Sequence, residues 1–318
     1  YMPSMEITTV IGCRVYCDFC PQDLLMKKYG ELNNKKITIA NPFLMTLETF
    51  KICIDKIPTH CELYFSGMAE PFLNPQCVDM ILYAYSKNFS ISIYTTLVGL
   101  KEIDIEKIKH IPFLQFHIHL ADKEKFAKIA ITEEYLMVLK KLIQDKISNL
   151  TFMSMGSLPE KIHQIISSSI DPDVMVDRAG NNELGIHSTN KIGSLTCSAA
   201  YKNNSMKLDN NVLMPNGDVQ LCCMDYGYDY TLGNLLNNDY DWLHKNDNYQ
   251  NIIKRMESQG DDIICRKCNM AVSSDTIKNI TTLFICNQCA CPIDFSEVAG
   301  YRHDGKGICK LCYDQNLQ

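Results

Sequence analysis

Cys13, Cys17 and Cys20 are spaced C-x3-C-x2-C within the segment CRVYCDFC, the most specific chemical signal in the chain. A chain of this composition would show that spacing by chance only about 0.04 times, so it marks a site rather than an excess of thiols. Three thiolates hold three irons of a [4Fe–4S] cluster and leave the fourth iron open to another ligand, unlike a closed four-cysteine electron carrier. A second set, Cys197, Cys222 or Cys223, Cys265 and Cys268, supplies four thiolates, enough to close an auxiliary [4Fe–4S] cluster. Tetrahedral zinc is the competing occupant there, because it accepts the same four sulfurs. A third set, Cys286-x2-Cys289 and Cys309-x2-Cys312 with nineteen residues between the pairs, has zinc-ribbon spacing. It points to a structural Zn2+, with a further iron–sulfur cluster as the rival, and Cys291 is placed to substitute for Cys289.

Sixteen cysteines among 318 residues are too sparse for a short secreted disulfide scaffold, and four of their spacings are Cys-x-x-Cys. The first residues lack a signal-peptide pattern and no run of eighteen apolar residues occurs. The expectation is a cytoplasmic protein with no membrane partner, in which thiols stay reduced and bind metal. A net charge of -6 argues against a nucleic-acid partner. At 46% hydrophobic residues the chain can bury a core, and its length suits about two compact domains. Cys53, Cys61 and Cys77 read as ordinary buried thiols.

The elements that must position these residues follow from periodicity. Strands are expected at Glu6–Ile11, Glu62–Phe65, Ser90–Tyr94, Leu114–His119, Leu150–Met155 and Val174–Asp177. Helices are expected at Leu47–Ile57 with Thr46 as N-cap, Cys77–Lys87, Ile103–Ile108, Glu133–Asp145 and Pro159–Ser167. Alternating strands and helices mean an α/β fold with a parallel sheet, short of a full eight-stranded barrel. A polar, Gly-rich stretch over 180–196 marks a boundary, and 207–222 reads as a hairpin around Pro215–Asp218. Domains are thus expected at 1–190, 191–275 and 276–318.

With Phe19 directly before its third cysteine and a strand directly before its first, the N-terminal triplet resembles the hallmark of the radical S-adenosylmethionine (radical SAM) enzymes. The segment Phe65–Pro71 (FSGMAEP) is similar to the family's glycine-rich motif that receives the SAM amino group. There Gly67 and Glu70 are the implied contacts, and Met68 and Ala69 replace the usual second glycine. Thr95 and Thr96 fall where the family often carries a Thr-Asn-Gly turn against SAM. His117 and His119 share one face of their strand; if that face lines the barrel they are candidate contacts to SAM or substrate, His119 first, with ordinary polar residues of a wet barrel mouth as the alternative. The segment Gly217–Cys222 (GDVQLC) resembles the G-x4-C element of SPASM and twitch domains, which carry auxiliary clusters.

Spanning about residues 5 to 270, the resemblance implies a partial (β/α)6 TIM-like barrel, a small β-hairpin-containing SPASM/twitch domain and then the zinc-ribbon-like module. It also implies reductive cleavage of SAM to methionine and a 5′-deoxyadenosyl radical that takes hydrogen from an unactivated substrate carbon. A flavodoxin or ferredoxin is the implied electron donor. The leading expectation is epimerisation of a sugar-like, small-molecule or peptide substrate, with the spare thiol Cys223 returning the hydrogen. Two-electron dehydrogenation of an aminocyclitol- or sugar-type alcohol, with the auxiliary cluster as electron acceptor, is the alternative. A non-catalytic zinc-binding adaptor is the reading outside enzyme chemistry. Because Cys13 lies so near the first residue, no leader-peptide-binding domain is expected ahead of the barrel.

Overall fold

Along Ser4–Ile7 (β1), Met5 and Ile7 are fully buried while Ser4 and Glu6 are only half-buried, the two-residue alternation of a strand with different surroundings on its two faces. The computed structural model describes residues 3–275 apart from 168–169, 186–187, 189 and 203–204, and beyond 275 only four short strands. After β1 come helices Gln22–Leu32 (α1) and Leu47–Ile54 (α2), strand Glu62–Phe65 (β2), helix Cys77–Ser86 (α3) and strand Ile91–Thr95 (β3). Helix Glu102–Ile108 (α4), strand Gln115–His119 (β4), helix Glu133–Gln144 (α5), strand Leu150–Met153 (β5) and helix Glu160–Ile166 (α6) follow. β1 to β5 pair in parallel in chain order, as repeated βα units demand.

The helices form where apolar spacing and caps agree. In α2 the Thr46 hydroxyl accepts from Thr49 N at 3.0 Å, as expected of an N-cap, and Phe50, Cys53 and Ile54 are buried. Thr132 caps α5 in the same way, with Tyr135, Leu136, Val138, Leu139 and Leu142 buried along one face. Cys53, Cys61 and Cys77 lie in this outer core as buried thiols.

Two expectations change. Val174–Asp177 forms no ladder strand; the segment follows Pro172 and is pinned as a loop, with Asp173 N bonded to Ser154 O at 2.7 Å and Asp177 Oδ2 accepting from Ser188 N at 3.0 Å. The sixth parallel strand comes instead from far along the chain. Strand Leu195–Cys197 (β6) is followed by Asn210–Leu213 (β7), Asp218–Gln220 (β8) and Thr231–Asn234 (β9). β7 pairs in parallel with β1, setting Ser4 against Asn210 and Ile7 against Leu213. The expected hairpin joins β7 to β8 through Gly217, whose φ of +88° suits glycine. One eight-stranded sheet results, in the order β9-β8-β7-β1-β2-β3-β4-β5. Such an α/β arrangement, with six parallel strands, is consistent with a partial TIM-like barrel.

Helix Asp247–Glu257 (α7) leads to strand Ala271–Ser273 (β10), which pairs antiparallel with β6. The buried Arg266 guanidinium ties this region together by donating to the carbonyls of Lys191, Gly193, Ser258 and Asp261 at 2.8–3.0 Å. Beyond residue 275, 283–285 pairs with 292–294 and 298–301 with 307–309. The zinc-ribbon expectation rests on the side chains of Cys286, Cys289, Cys309 and Cys312, which lie outside the described residues, as does Cys291. Among the described residues no helix is long and apolar enough to cross a membrane.

Because Ile7 is 0% exposed on a strand that has neighbours on both edges, Ile7→Ala should destabilise the fold by about 3 kcal/mol. Leu32→Ala, at a position 61% exposed, should change stability by less than about 0.5 kcal/mol. Urea unfolding of both variants measures the contrast.

Candidate active site

The loop that holds the cysteine triplet is tied down by one buried glutamine at the start of α1. Gln22 Nε2 donates to Met68 O at 2.5 Å and to Cys20 Sγ at 3.3 Å, while its Oε1 accepts from Cys13 N at 3.4 Å. Both ends of the triplet are thereby fastened to the strap after β2. The strap passes so close to β1 that a Cβ on Gly67, at φ +60°, would meet Thr8 Oγ1 at 2.2 Å. That same hydroxyl accepts from Met68 N at 3.1 Å, so the expected motif glycine has a steric reason.

Cys13, Cys17 and Cys20 open onto a cavity of about 440 Å³ whose wall also includes Gly67, Glu70, Thr95 and Thr96. Burial pushes the Cys13 thiol up to about 11. Burial raises Cys17 too, and the neighbouring Cys20 and Cys13 add to the effect. Thiols in this state ionise when a cation is there to offset the charge, which is what an iron–sulfur cluster provides.

Glu70 is the hub of the opposite wall. Its Oε1 accepts from Phe72 N (3.1 Å) and Thr95 Oγ1 (2.8 Å), and its Oε2 from Thr96 N (2.5 Å) and Thr96 Oγ1 (2.6 Å). Burial raises its pKa and these four donors oppose the rise. They also occupy the carboxylate's acceptor sites, so an arriving ammonium gains charge attraction but must displace a hydroxyl to hydrogen-bond. Thr95 and Thr96 thus serve Glu70 as well as lining the cavity.

His119 stacks on Phe19, with ring centroids 5.4 Å apart and planes at 16°. Burial drops its pKa to about 4, and its Nε2 is buried with no hydrogen-bond partner. A buried orphan nitrogen on a cavity wall fits a polar ligand group. Tyr64, Tyr94 and His117 form a row of rings across β2, β3 and β4, with centroids 5.9 and 5.2 Å apart.

The fourth wall carries residues that local sequence reading did not single out. Glu6 accepts from Ser66 Oγ at 3.2 Å and from the Cys223 thiol, with the Arg178 guanidinium nearby. Tyr226 places its hydroxyl 3.5 Å from Cys20 Sγ. Glu6 did carry a signal, as the one charged residue in the inward phase of the first strand; Arg178 and Tyr226 had none. Cys223 lines this cavity, and its pKa is raised by burial and then by the Glu6 charge.

Cys222 is not among the residues that line the cavity; it packs in the core that also holds Cys197, Cys265 and Cys268 and feels the last two. Cys197 ends β6 opposite Ala271, and Cys265 lies within the short helical turn Ile264–Lys267 that Cys268 closes. These thiols feel one another: besides burial, Cys268 raises Cys197, Cys197 and Cys268 raise Cys265, and Cys268 and Cys265 raise Cys222. Met270 N donates to Cys268 Sγ at 3.4 Å, the backbone-to-sulfur contact that suits a ligand thiolate. Among the described residues, no three His, Cys, Asp or Glu side chains close on a point able to hold a metal ion.

Residues 206–269 match the family model described as SPASM, an iron–sulfur cluster-binding domain. No curated protein matches the chain. Among solved structures, BtrN in complex with AdoMet and 2-DOIA shares the fold at a TM-score of 0.53 and 14% identity, covering 81% of this chain and 88% of BtrN. SuiB from Streptococcus suis, bound to precursor peptide SuiA, gives a TM-score of 0.57 at 11% identity, covering 84% of this chain and 70% of SuiB. The expected resemblance to a SPASM-type iron–sulfur domain holds in the family model, and the fold is one shared with BtrN and SuiB.

The depressed pKa of His119 makes stability depend on pH. Unfolded, the imidazole binds a proton near its ordinary value of 6.5; folded, it does so only near 4, so its contribution is present above pH 6.5 and is lost as pH falls through about 4. His119→Gln should flatten the unfolding free energy across that window, by on the order of 2 kcal/mol between its ends. Denaturant unfolding of both proteins at pH 7 and pH 4 checks this.

Proposed function

We infer that this chain is a radical SAM enzyme whose barrel cavity holds SAM on an open-iron cluster and whose SPASM domain holds an auxiliary cluster. Cys13, Cys17 and Cys20 are the residues that would hold the first [4Fe–4S] cluster, and Cys197, Cys222, Cys265 and Cys268 the second. SAM would lie along the wall made by Phe19, Gly67, Glu70, Thr95, Thr96 and His119. When bound, cluster and SAM supply a one-electron reductive cleavage that yields a 5′-deoxyadenosyl radical.

The protein's own residues do the rest. Phe19, Val15, Met153 and Met155 line the cavity with apolar surface that keeps water and stray hydrogen donors away from a reactive carbon. The row Tyr64, Tyr94 and His117 offers ring faces with polar tips, a platform suited to a sugar-like ring. Cys223 is the hydrogen donor in this reading: its S–H bond breaks as a C–H bond forms on the substrate radical, inverting the carbon. One electron and one proton then restore the thiol, the electron coming from a reduced iron–sulfur centre fed by a donor such as flavodoxin or ferredoxin. The observation that carries epimerisation is the separation of the two adjacent cysteines, Cys223 on the cavity and Cys222 among the auxiliary thiols.

A second reading, dehydrogenation of an aminocyclitol- or sugar-type alcohol, is supported by the auxiliary thiols lying one residue from the cavity, where they could hold an electron acceptor. The fold shared with BtrN, solved with 2-DOIA, agrees with it. SuiB, solved with a peptide, keeps a peptide substrate in view.

Anaerobic reconstitution followed by dithionite and SAM should yield 5′-deoxyadenosine, and Cys17→Ala should abolish it; a fully loaded protein that makes none overturns the enzyme reading. Iron analysis should show Cys222→Ala losing about four irons per chain and Cys223→Ala losing none. For candidate substrates in D2O, solvent deuterium at an inverted carbon, lost in Cys223→Ala, supports epimerisation. A ketone product with Cys223→Ala fully active selects dehydrogenation.

A further inference from the structure

The turn after β8 carries three groups that face three different places. Cys222 faces the auxiliary thiols, Cys223 faces Glu6 and the cavity, and Tyr226 reaches across to Cys20 of the first cluster site. The turn is rigid. Asp225 N bonds to Cys222 O at 3.2 Å, and the Asp225 carboxylate accepts from Asp229 N at 3.0 Å and Tyr230 N at 2.8 Å. The Tyr226 ring is 3% exposed and packs among Ile11, Leu25, Met26, Met68 and Val212, so its hydroxyl has one place to be.

That place is 3.5 Å from Cys20 Sγ, which also receives Gln22 Nε2 at 3.3 Å. A thiolate bound to iron carries no proton, so in the loaded protein the phenol must be the donor. Cys13 takes the backbone N–H groups of Glu70 and Val15, and Cys17 that of Lys128. The Cys20 sulfur therefore has donors that a side-chain substitution can remove. Hydrogen bonds to ligand sulfurs favour the reduced, more negative state of a cluster and raise its potential.

We propose that Tyr226 is a tuning residue through which the SPASM domain raises the reduction potential of the SAM-binding cluster. This rests on the reading that Cys13, Cys17 and Cys20 hold that cluster. Cys222 of the auxiliary set and Tyr226 then sit on one turn.

The test is EPR-monitored redox poising of the reconstituted full chain, following the signal that changes on adding SAM. At the poise that half-reduces the wild-type cluster, Tyr226→Phe should lower the reduced-to-oxidised ratio roughly fivefold, the effect of losing one hydrogen bond. Tyr228→Phe is the control, because its hydroxyl bonds Asp218 Oδ2 at 2.9 Å rather than a thiol, and it should leave the ratio unchanged. A Tyr226→Phe ratio within twofold of wild type, or an equal shift in Tyr228→Phe, overturns the proposal. A wild-type chain that assembles no cluster on the N-terminal triplet overturns it together with the proposed function. Failure of a loaded, SAM-responsive cluster to cleave SAM removes only the functional reading, since the poise still reports on Tyr226.

Discussion

The parallel pairing of β7 with β1 is the contact on which the rest of the molecule depends. It joins residues about two hundred positions apart, Ser4 to Asn210 and Ile7 to Leu213, and makes the N-terminal strand an interior strand of the sheet. Without it, β1 would be an edge with unpaired N–H and C=O groups, and the barrel half would present its open side to water. With it, the hairpin β7–β8 and strand β9 extend the same sheet, so the SPASM segment is built onto the barrel. The turn that leaves β8 is thereby delivered against Glu6, whose register partner is Val212, and against Cys20. Cofactor site and auxiliary site are neighbours because one ladder of backbone hydrogen bonds sets their spacing.

How much of this could be read from residues alone depended on the range of the interaction. The strands Glu62–Phe65 and Gln115–His119 follow from alternation, and α2 and α5 from apolar spacing and threonine caps, all of them local. Helix α1 escaped notice although its buried residues Gln22, Leu25, Met26 and Tyr29 follow the i, i+3, i+4, i+7 pattern; a glutamine in the first apolar slot and Gly30 within the helix masked it. Val174–Asp177 has strand-like letters and no strand: the sheet ends at β5, and the sixth parallel strand, β7, joins at β1 instead, a pairing that no local period encodes. The cysteine triplet was legible since its ligands lie within eight consecutive residues, and Gly67 because a close approach excludes every side chain there. Arg178 and Tyr226 were not, since each joins the site only by convergence from a distant part of the chain.

Electrostatics explains why the site needs its cofactors as much as they need it. The cavity gathers four thiols, Glu6 and Glu70 against one guanidinium, Arg178, in partly dehydrated surroundings. Burial acts on these groups in one direction, pushing Cys13, Cys17, Glu6 and Glu70 toward their neutral forms. In the proposed reading, iron would supply the positive charge that turns the thiols into ligands and expels their protons, so cluster loading would be coupled to proton release and to the order of the loop that Gln22 anchors.

The adjacency of Cys222 and Cys223 has the same logic. Two thiols on consecutive residues point into different surroundings, one among Cys197, Cys265 and Cys268, the other beside Glu6 and Tyr226. The spacing leaves no freedom: inserting one residue between them would move either the auxiliary ligand or the cavity thiol off its site, because the Asp225 bonds to Cys222, Asp229 and Tyr230 fix the turn on its far side. A thiol needed only to fill core volume could be replaced by alanine or serine without demanding this geometry. In the proposed reading, Cys223, one peptide unit from Cys222 and hydrogen-bonded to the Glu6 carboxylate, would have within reach both an electron source and a proton source, the two supplies that a hydrogen-donating thiol requires to be used again.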